Sequence, residues 1–295
     1  MKNFLYPIVG RSSLIFDFFL KLTAKSRKEK SQYDKTGILF EIPQKVNILH
    51  KDNECIFVDY NRLSHSFWRA QEFSLYEKYK DFIKRPLMDF GCGDGSFASV
   101  LFDGIEYGVD NDQEALSIAA KLKIYQKLIQ NRGTQMSIEN GSVSTIISNS
   151  VLEHVVEPDN TFSQLYKILK KDGNLIFTVP TTYFTEHLKK YFGYKESMKI
   201  NSESYHYNMF SKIQWEELIK KHGFSILKVV EYQPDWFTFY YRMLRLIGRR
   251  GIGRIVPDIN RKVWDIAKNR LVNMVKKSIS ETNSGANIFV IAKKQ

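Results

Sequence analysis

Short apolar runs alternate with helical patterns through the middle of this chain. The runs lie at residues 87–90, 104–110, 145–147 and 175–180, and each ends at a glycine, an acid or a polar turn. This alternation predicts parallel strands covered on both faces by helices, an α/β sheet of the doubly wound kind. A further strand is expected at 224–230 and a last one at 287–292. Upstream, Ser66, Phe67, Trp68, Arg69, Ala70, Gln71, Glu72 and Phe73 open an amphipathic helix that leads to Tyr79 and Phe82. Downstream, Ser211 is a candidate N-cap for a helix holding Trp215, with Glu216 and Glu217 in its early turns.

The most informative stretch is residues 87–97, which reads as a strand, a glycine turn and a helix start. Gly91, Gly93 and Gly95 stand at alternate positions, where missing side chains let the backbone bend sharply and a ligand approach it. A dinucleotide site needs G-x-G-x-x-G beneath a pyrophosphate, but here the third glycine comes one residue early and Asp89 sits beside the turn. A carboxylate there repels phosphate and attracts an ammonium or sulfonium group. The next run ends in Asp110, a carboxylate able to accept both hydroxyls of a ribose, and Asn111 and Asp112 then start a helix. Asp89-Phe90-Gly91 also spells the magnesium-binding tripeptide of protein kinases, but the chain has no H-R-D loop.

A third element follows the run at 145–147: Ser148-Asn149-Ser150-Val151 leads into Leu152-Glu153-His154. Together with the glycine turn and Asp110, this pattern resembles the class I S-adenosylmethionine-dependent methyltransferases, in their small-molecule branch with the L-E-H tripeptide. The resemblance runs from about residue 69 to residue 230. It implies a Rossmann-like, doubly wound, seven-stranded sheet whose last strand is antiparallel, and S-adenosyl-L-methionine as cofactor. The implied cofactor-binding residues are Arg69, Asp89, Gly91, Cys92, Gly93, Gly95, Asp110, Asn111, Ser148 and Asn149, and the implied catalytic residues are His154 and His206. Tyr183 and Glu153 are secondary candidates for a general base. The adenine contact falls near Asn131, Arg132 and Gly133, where the family's carboxylate is missing. No metal enters this reading. Each position also has a plain structural explanation: a helix cap for Ser148 and Asn149, a surface cation for Arg69, and satisfied loop histidines for His154 and His206.

Composition narrows the setting. The chain has 295 residues, 43% hydrophobic and 26% charged, which suits one folded catalytic domain with additions. Its two cysteines, Cys55 and Cys92, suggest neither a disulfide framework nor a zinc site, in keeping with a cytoplasmic protein. No apolar run is long enough to span a membrane. An apolar patch at residues 14–20, interrupted by Asp17, is followed by Lys21, Lys25, Arg27, Lys28 and Lys30, a pattern that can lie at the inner face of a membrane.

Charge is concentrated as well. Of the net +12, residues 234–278 supply +8, from eleven Lys and Arg against three Asp, interleaved with Trp236, Phe237, Phe239, Tyr240 and Tyr241. Two helices joined by a turn between Gly248 and Gly253 are expected there. Three readings stay open: a substrate lid with a solvated cationic face, a peripheral contact with an anionic membrane, or a track for a phosphate backbone. The domain plan is thus a helical N-terminal extension over residues 1–63, a cofactor-binding domain over 64–232 and 284–295, and a basic aromatic helical insert over 233–283.

The leading expectation is methyl transfer to an oxygen or nitrogen of a small-molecule, glycan or lipid-linked acceptor. An RNA methyltransferase is favoured by charge alone. Ser148-Asn149-Ser150-Val151 stands where amino-adenine enzymes carry an Asn/Asp-Pro-Pro-aromatic turn, and neither cysteine falls in a suitable loop after a strand. Nucleic acid is therefore the weaker partner. A non-catalytic interaction module that keeps the cofactor fold is the third alternative.

Overall fold

Successive residues of the central strands enter opposite cores, which is why their apolar runs are continuous. Met88, Ile146, Leu175, Phe177 and Val290 pack on one face of the sheet, while Leu87, Ile147, Ile176, Phe289 and Ile291 pack on the other. A computed structural model describes residues 47–60, 62–131, 136–249, 259–279 and 282–295. In chain order the elements are β1 (Ile48–Lys51), β2 (Ile56–Val58), α1 (Leu63–Lys78), β3 (Leu87–Phe90), α2 (Ala98–Leu101), β4 (Ile105–Asp110), α3 (Gln113–Leu122), β5 (Tyr125–Gln130) and β6 (Val143–Asn149). They continue with α4 (Pro158–Ile168), β7 (Leu169–Pro180), α5 (Thr182–Phe192), α6 (Tyr194–Ser204), α7 (Lys212–Lys221), β8 (Phe224–Tyr232), α8 (Asp235–Arg249), α9 (Ile259–Ser278) and β9 (Asn287–Lys294).

The main sheet has seven strands in the order β5-β4-β3-β6-β7-β9-β8. All neighbours from β5 to β7 are parallel, and β9 pairs antiparallel with both β7 and β8, as expected. The order reverses beside β3, so the tips of β4, β3 and β6 open a crevice there, the usual ligand position in such sheets. Local chemistry sets the helix starts. Asp112 caps α3 by accepting from the N–H groups of Glu114 and Ala115, and Ser211 with Gln214 forms a capping box on α7.

Two expectations change at this level. The described part of the N-terminal extension is a β1-β2 hairpin rather than helix, because Ile56, Phe57 and Val58 alternate onto α1 and the neighbouring helices. Residues 1–46, including the apolar patch at 14–20, lie outside the described residues. The helix end and glycine turn expected near Lys171 become part of β7, which begins at Leu169 opposite Val143; Asp172 takes φ 63 and the register shifts there.

The insert forms two helices, α8 and α9, and residues 250–258 between them lie outside the described residues. Its apolar side builds a third core with α1 and the hairpin. Phe67 stacks on Phe237 at 4.0 Å between ring centroids, and Phe57 meets Trp264 at 4.5 Å. Lys276 is paired with Asp52 and Glu54, and Arg242 with Glu196. Arg261, Lys262, Lys268 and Arg270 face solvent along α9. No described helix is long and apolar enough to cross a membrane.

Candidate active site

The glycine turn and Asp110 are one hydrogen-bonded unit. The N–H groups of Gly91 and Cys92 donate to the Val109 carbonyl, at 2.7 and 3.0 Å, which locks the turn onto β4. Asp110 then accepts from Gly93 N–H through Oδ2 at 2.7 Å and from Asp112 N–H through Oδ1 at 2.9 Å. Gly91 is at φ +77, and a Cβ there would sit 2.3 Å from Val151 Cγ2, so the loop after β6 presses on a position that accommodates only glycine. Gly93 differs: a Cβ would meet nothing within 4 Å, because the position borders a cavity.

That cavity measures about 940 Å3, in the range of small-molecule sites. Asp89, on the tip of β3, is 5% exposed and accepts a 2.7 Å hydrogen bond from the Tyr125 hydroxyl. Burial pushes its carboxyl up to about 7; the Tyr125 hydrogen bond opposes this, and the charge of Asp110 adds to it. Cys92 is buried, its thiol raised by desolvation and then by Asp89 and Asp110, so it stays protonated.

Among the residues expected at the site, Arg69, Asp89, Gly91, Cys92, Gly93, Asp110, Asn111, Asn149 and His154 all line the cavity, as does Asn131. Arg132 and Gly133 lie outside the described residues. Gly95 and Ser148 do not line it. Ser148 is fully buried in β6, because side chains alternate along the strand and Asn149 takes the position at its tip. His206 is one layer back, its ring 5.1 Å from His154 and 6.0 Å from Phe184, and it does not line the cavity. Burial holds His206 down at about 4, with His154 adding to the effect, so its imidazole is neutral near pH 7. Glu153 is 2% exposed, and burial pushes its carboxyl up to about 8. Tyr183, 41% exposed on α5, does not line the cavity either.

Three residues that shape the site were not legible as functional. Glu72 is fully buried, and its carboxylate accepts from Trp68 Nε1 at 2.9 Å, Arg69 Nη1 at 2.5 Å, Asn149 Nδ2 at 3.0 Å and Ser150 Oγ at 3.1 Å. It ties α1 to the tip of β6 and orients Arg69, which also donates to Ser150 Oγ at 3.1 Å. The available signal was its spacing from Arg69, three residues along a helix. Tyr60 and His65 also line the cavity, and no sequence pattern marks them.

The residues present fit S-adenosylmethionine. Two carboxylates stand on neighbouring strand tips, Arg69 supplies a cation at the wall, Gly93 leaves its side-chain space open, and the buried Tyr60 hydroxyl has no hydrogen-bond partner among the described residues. A cationic amino acid carrying a ribose presents the complementary groups.

Comparison with known proteins agrees. Residues 36–229 match the family model described as a methyltransferase domain. A Geobacillus sp. (strain WCH70) protein with a provisional methyltransferase name is 32% identical over 134 residues, covering 38% of this chain and 54% of that one. The ubiquinone biosynthesis O-methyltransferase of Vibrio atlanticus (strain LGP32) is 26% identical over 140 residues, covering 44% and 58%. The matched segment thus spans about half the length of these relatives. Among solved structures, geranyl diphosphate C-methyltransferase from Streptomyces coelicolor A3(2) shares the fold, with a TM-score of 0.52 at 15% identity, covering 79% of this chain and 84% of that one. The chain belongs to the class I S-adenosylmethionine-dependent methyltransferases, and S-adenosylmethionine is its cofactor.

Proposed function

We propose that this protein transfers a methyl group to an oxygen or nitrogen of a small-molecule acceptor held on the β6 side of the cavity. The observation that carries the reading is the order of the strand tips. Asp110 on β4 and Asp89 on β3 account for the donor, and the space beyond them is walled by Asn149, Ser150, Val151, His154 and Val155. The O-methyltransferase among the relatives supports an oxygen acceptor.

Bound S-adenosylmethionine supplies an electrophilic methyl group on a sulfonium. The chain's own part is mainly positional. Asp89 balances the donor's cationic end, Asp110 accepts from its ribose hydroxyls, and Arg69 faces its carboxylate. Val151 and Val155 keep water from the acceptor side. A hydroxyl acceptor must lose a proton, and His154 is the imidazole on that wall placed to receive it.

A lipid-linked acceptor is the second reading, favoured by the outward cations of α9 beside Ile266, which is 63% exposed. Labelled methyl donor added to cell extracts with the purified protein separates the possibilities. Label in a small aqueous product supports the first reading and label in the lipid fraction the second. Label in RNA, or no transfer to any fraction, overturns both. For Asp110→Ala, calorimetry is expected to show about 30-fold weaker donor binding, since a charged acceptor for two hydroxyls, worth about 2 kcal/mol, is lost. Unchanged affinity would remove Asp110 from the ribose position.

A further inference from the structure

Behind the wall that carries His154 is a cluster the methyl-transfer reading does not fully use. Glu153, His154 and His206 bring one carboxylate oxygen and two imidazole nitrogens within 4.8 Å of one another. Donors around a tetrahedral ion bound at 2.0–2.2 Å stand about 3.4 Å apart, so small side-chain movements separate this cluster from a ligand set.

The backbone holds these groups together. Tyr207 and Asn208 donate their N–H groups to the Glu153 carbonyl, at 2.9 and 3.0 Å. Asn208 Nδ2 donates to the carbonyls of Leu152 and Val155, at 3.0 and 2.7 Å. The loop bearing His206 is therefore bonded to the turn bearing Glu153 and His154. His154 Nδ1 lies 3.0 Å from the Tyr205 carbonyl. A carbonyl can only accept, so Nδ1 carries the proton and the lone pair is on Nε2, which points to Glu153 Oε1 at 3.8 Å. A metal-bound imidazole is oriented in this way, by a backbone carbonyl on its other nitrogen.

Two further atoms point to a ligand. Glu153 Oε2 and His206 Nδ1 are buried and have no hydrogen-bond partner among the described residues. By contrast Asp89, Asp110 and Glu72 all have donors on their carboxylates. An unpartnered buried carboxylate oxygen is costly, and a cation would satisfy it together with both imidazoles.

We propose that Glu153, His154 and His206 form a divalent-cation site with two nitrogen donors and one oxygen donor. This set suits a zinc-class ion, since magnesium and calcium prefer oxygen shells, and three protein ligands leave a position open for a further oxygen. The inference deepens the proposed methyl transfer and rests on it for the identity of that oxygen, the acceptor's hydroxyl, which reaches the ion beside His154, the ligand of the three that lines the cavity. The hydroxyl's proton passes to water more readily beside the ion. Its oxygen forms the new bond to the methyl carbon, and the carbon–sulfur bond breaks with its electron pair left on sulfur. His154 then acts as a ligand in place of a free base.

The test uses the full chain, stripped with chelator and titrated with Zn2+ and, for its visible d–d absorption, Co2+. One equivalent of metal per chain is expected, with a Co2+ spectrum of low coordination number. Glu153→Gln and His206→Ala are each expected to weaken binding by about 10–100-fold. Donor affinity measured on the same samples serves as the control for folding and is expected to stay at the wild-type value. Absence of stoichiometric metal, or a metal affinity in both variants equal to that of the wild type, overturns the site. Stoichiometric metal that depends on Glu153 and His206, in a protein that binds no donor, supports the site and counts against the methyl-transfer reading alone.

Discussion

Glu72→Ala lowers the unfolding free energy by about 3–5 kcal/mol in chemical denaturation, the size expected when one partner of a buried charge pair is removed. The reason is the number of groups that converge on this carboxylate. It is fully buried and accepts from Trp68, Arg69, Asn149 and Ser150, with the Tyr232 hydroxyl at 3.4 Å. Without it, the Arg69 guanidinium keeps, among the described residues, hydrogen bonds to Ser150 Oγ at 3.1 Å and His65 Nε2 at 3.2 Å and its place over the Phe97 ring. The double change Arg69→Met with Glu72→Leu removes both charges and is expected to recover more than half of the loss. A loss below about 1 kcal/mol for Glu72→Ala would mean that water replaces the carboxylate and that Glu72 does not hold α1 to the tip of β6.

Asp89→Asn is expected to weaken donor binding about 100-fold at pH 8 and to abolish its pH dependence. In the donor-free protein burial pushes the Asp89 carboxyl up to about 7, with Tyr125, Asp110 and the protonated Cys92 facing it. Only the ionised form attracts a cationic donor, so wild-type affinity rises between about pH 6 and about pH 8. Stability changes in the opposite direction. Because the folded pKa exceeds the ordinary value of 3.8, the contribution of Asp89 to stability is fully present below that value and is lost as pH rises through about 7. Asn keeps an acceptor for Tyr125 and has no charge to desolvate, so the variant's donor-free fold is expected to be more stable than wild type at pH 8. Calorimetry and thermal melts at both pH values check the two halves. A pH slope that survives in the variant would assign it to another group.

Much of this was legible in local pattern. The β3 glycine turn, Asp89 and Asp110 are near in sequence, and each is placed by its own strand and the turn after it. Apolar runs with both faces buried identify parallel strands in any order of pairing, so the sheet could be read before its neighbours were known. Where the reading missed, the cause is longer-range packing. Ser148 and Asn149 are adjacent, yet only one reaches the cavity, and which one depends on how β6 is seated between β3 and β7. His206 was expected over the transfer site but lies behind His154, because Asn208 bonds its loop to the turn after β6 across more than fifty residues.

The amino-acid sequence by itself determined the doubly wound sheet, the cofactor class and the two carboxylates at neighbouring strand tips that line the cavity, since strand period, turn chemistry and charge act over a few neighbouring residues. Only the tertiary structure decided that Glu72 anchors the wall, that the N-terminal hairpin and the basic insert share a core with α1, and that Glu153, His154 and His206 converge. Burial is the physical reason: the partners of these groups come from distant parts of the chain, and a charge or imidazole acquires its role only when folding removes water from around it.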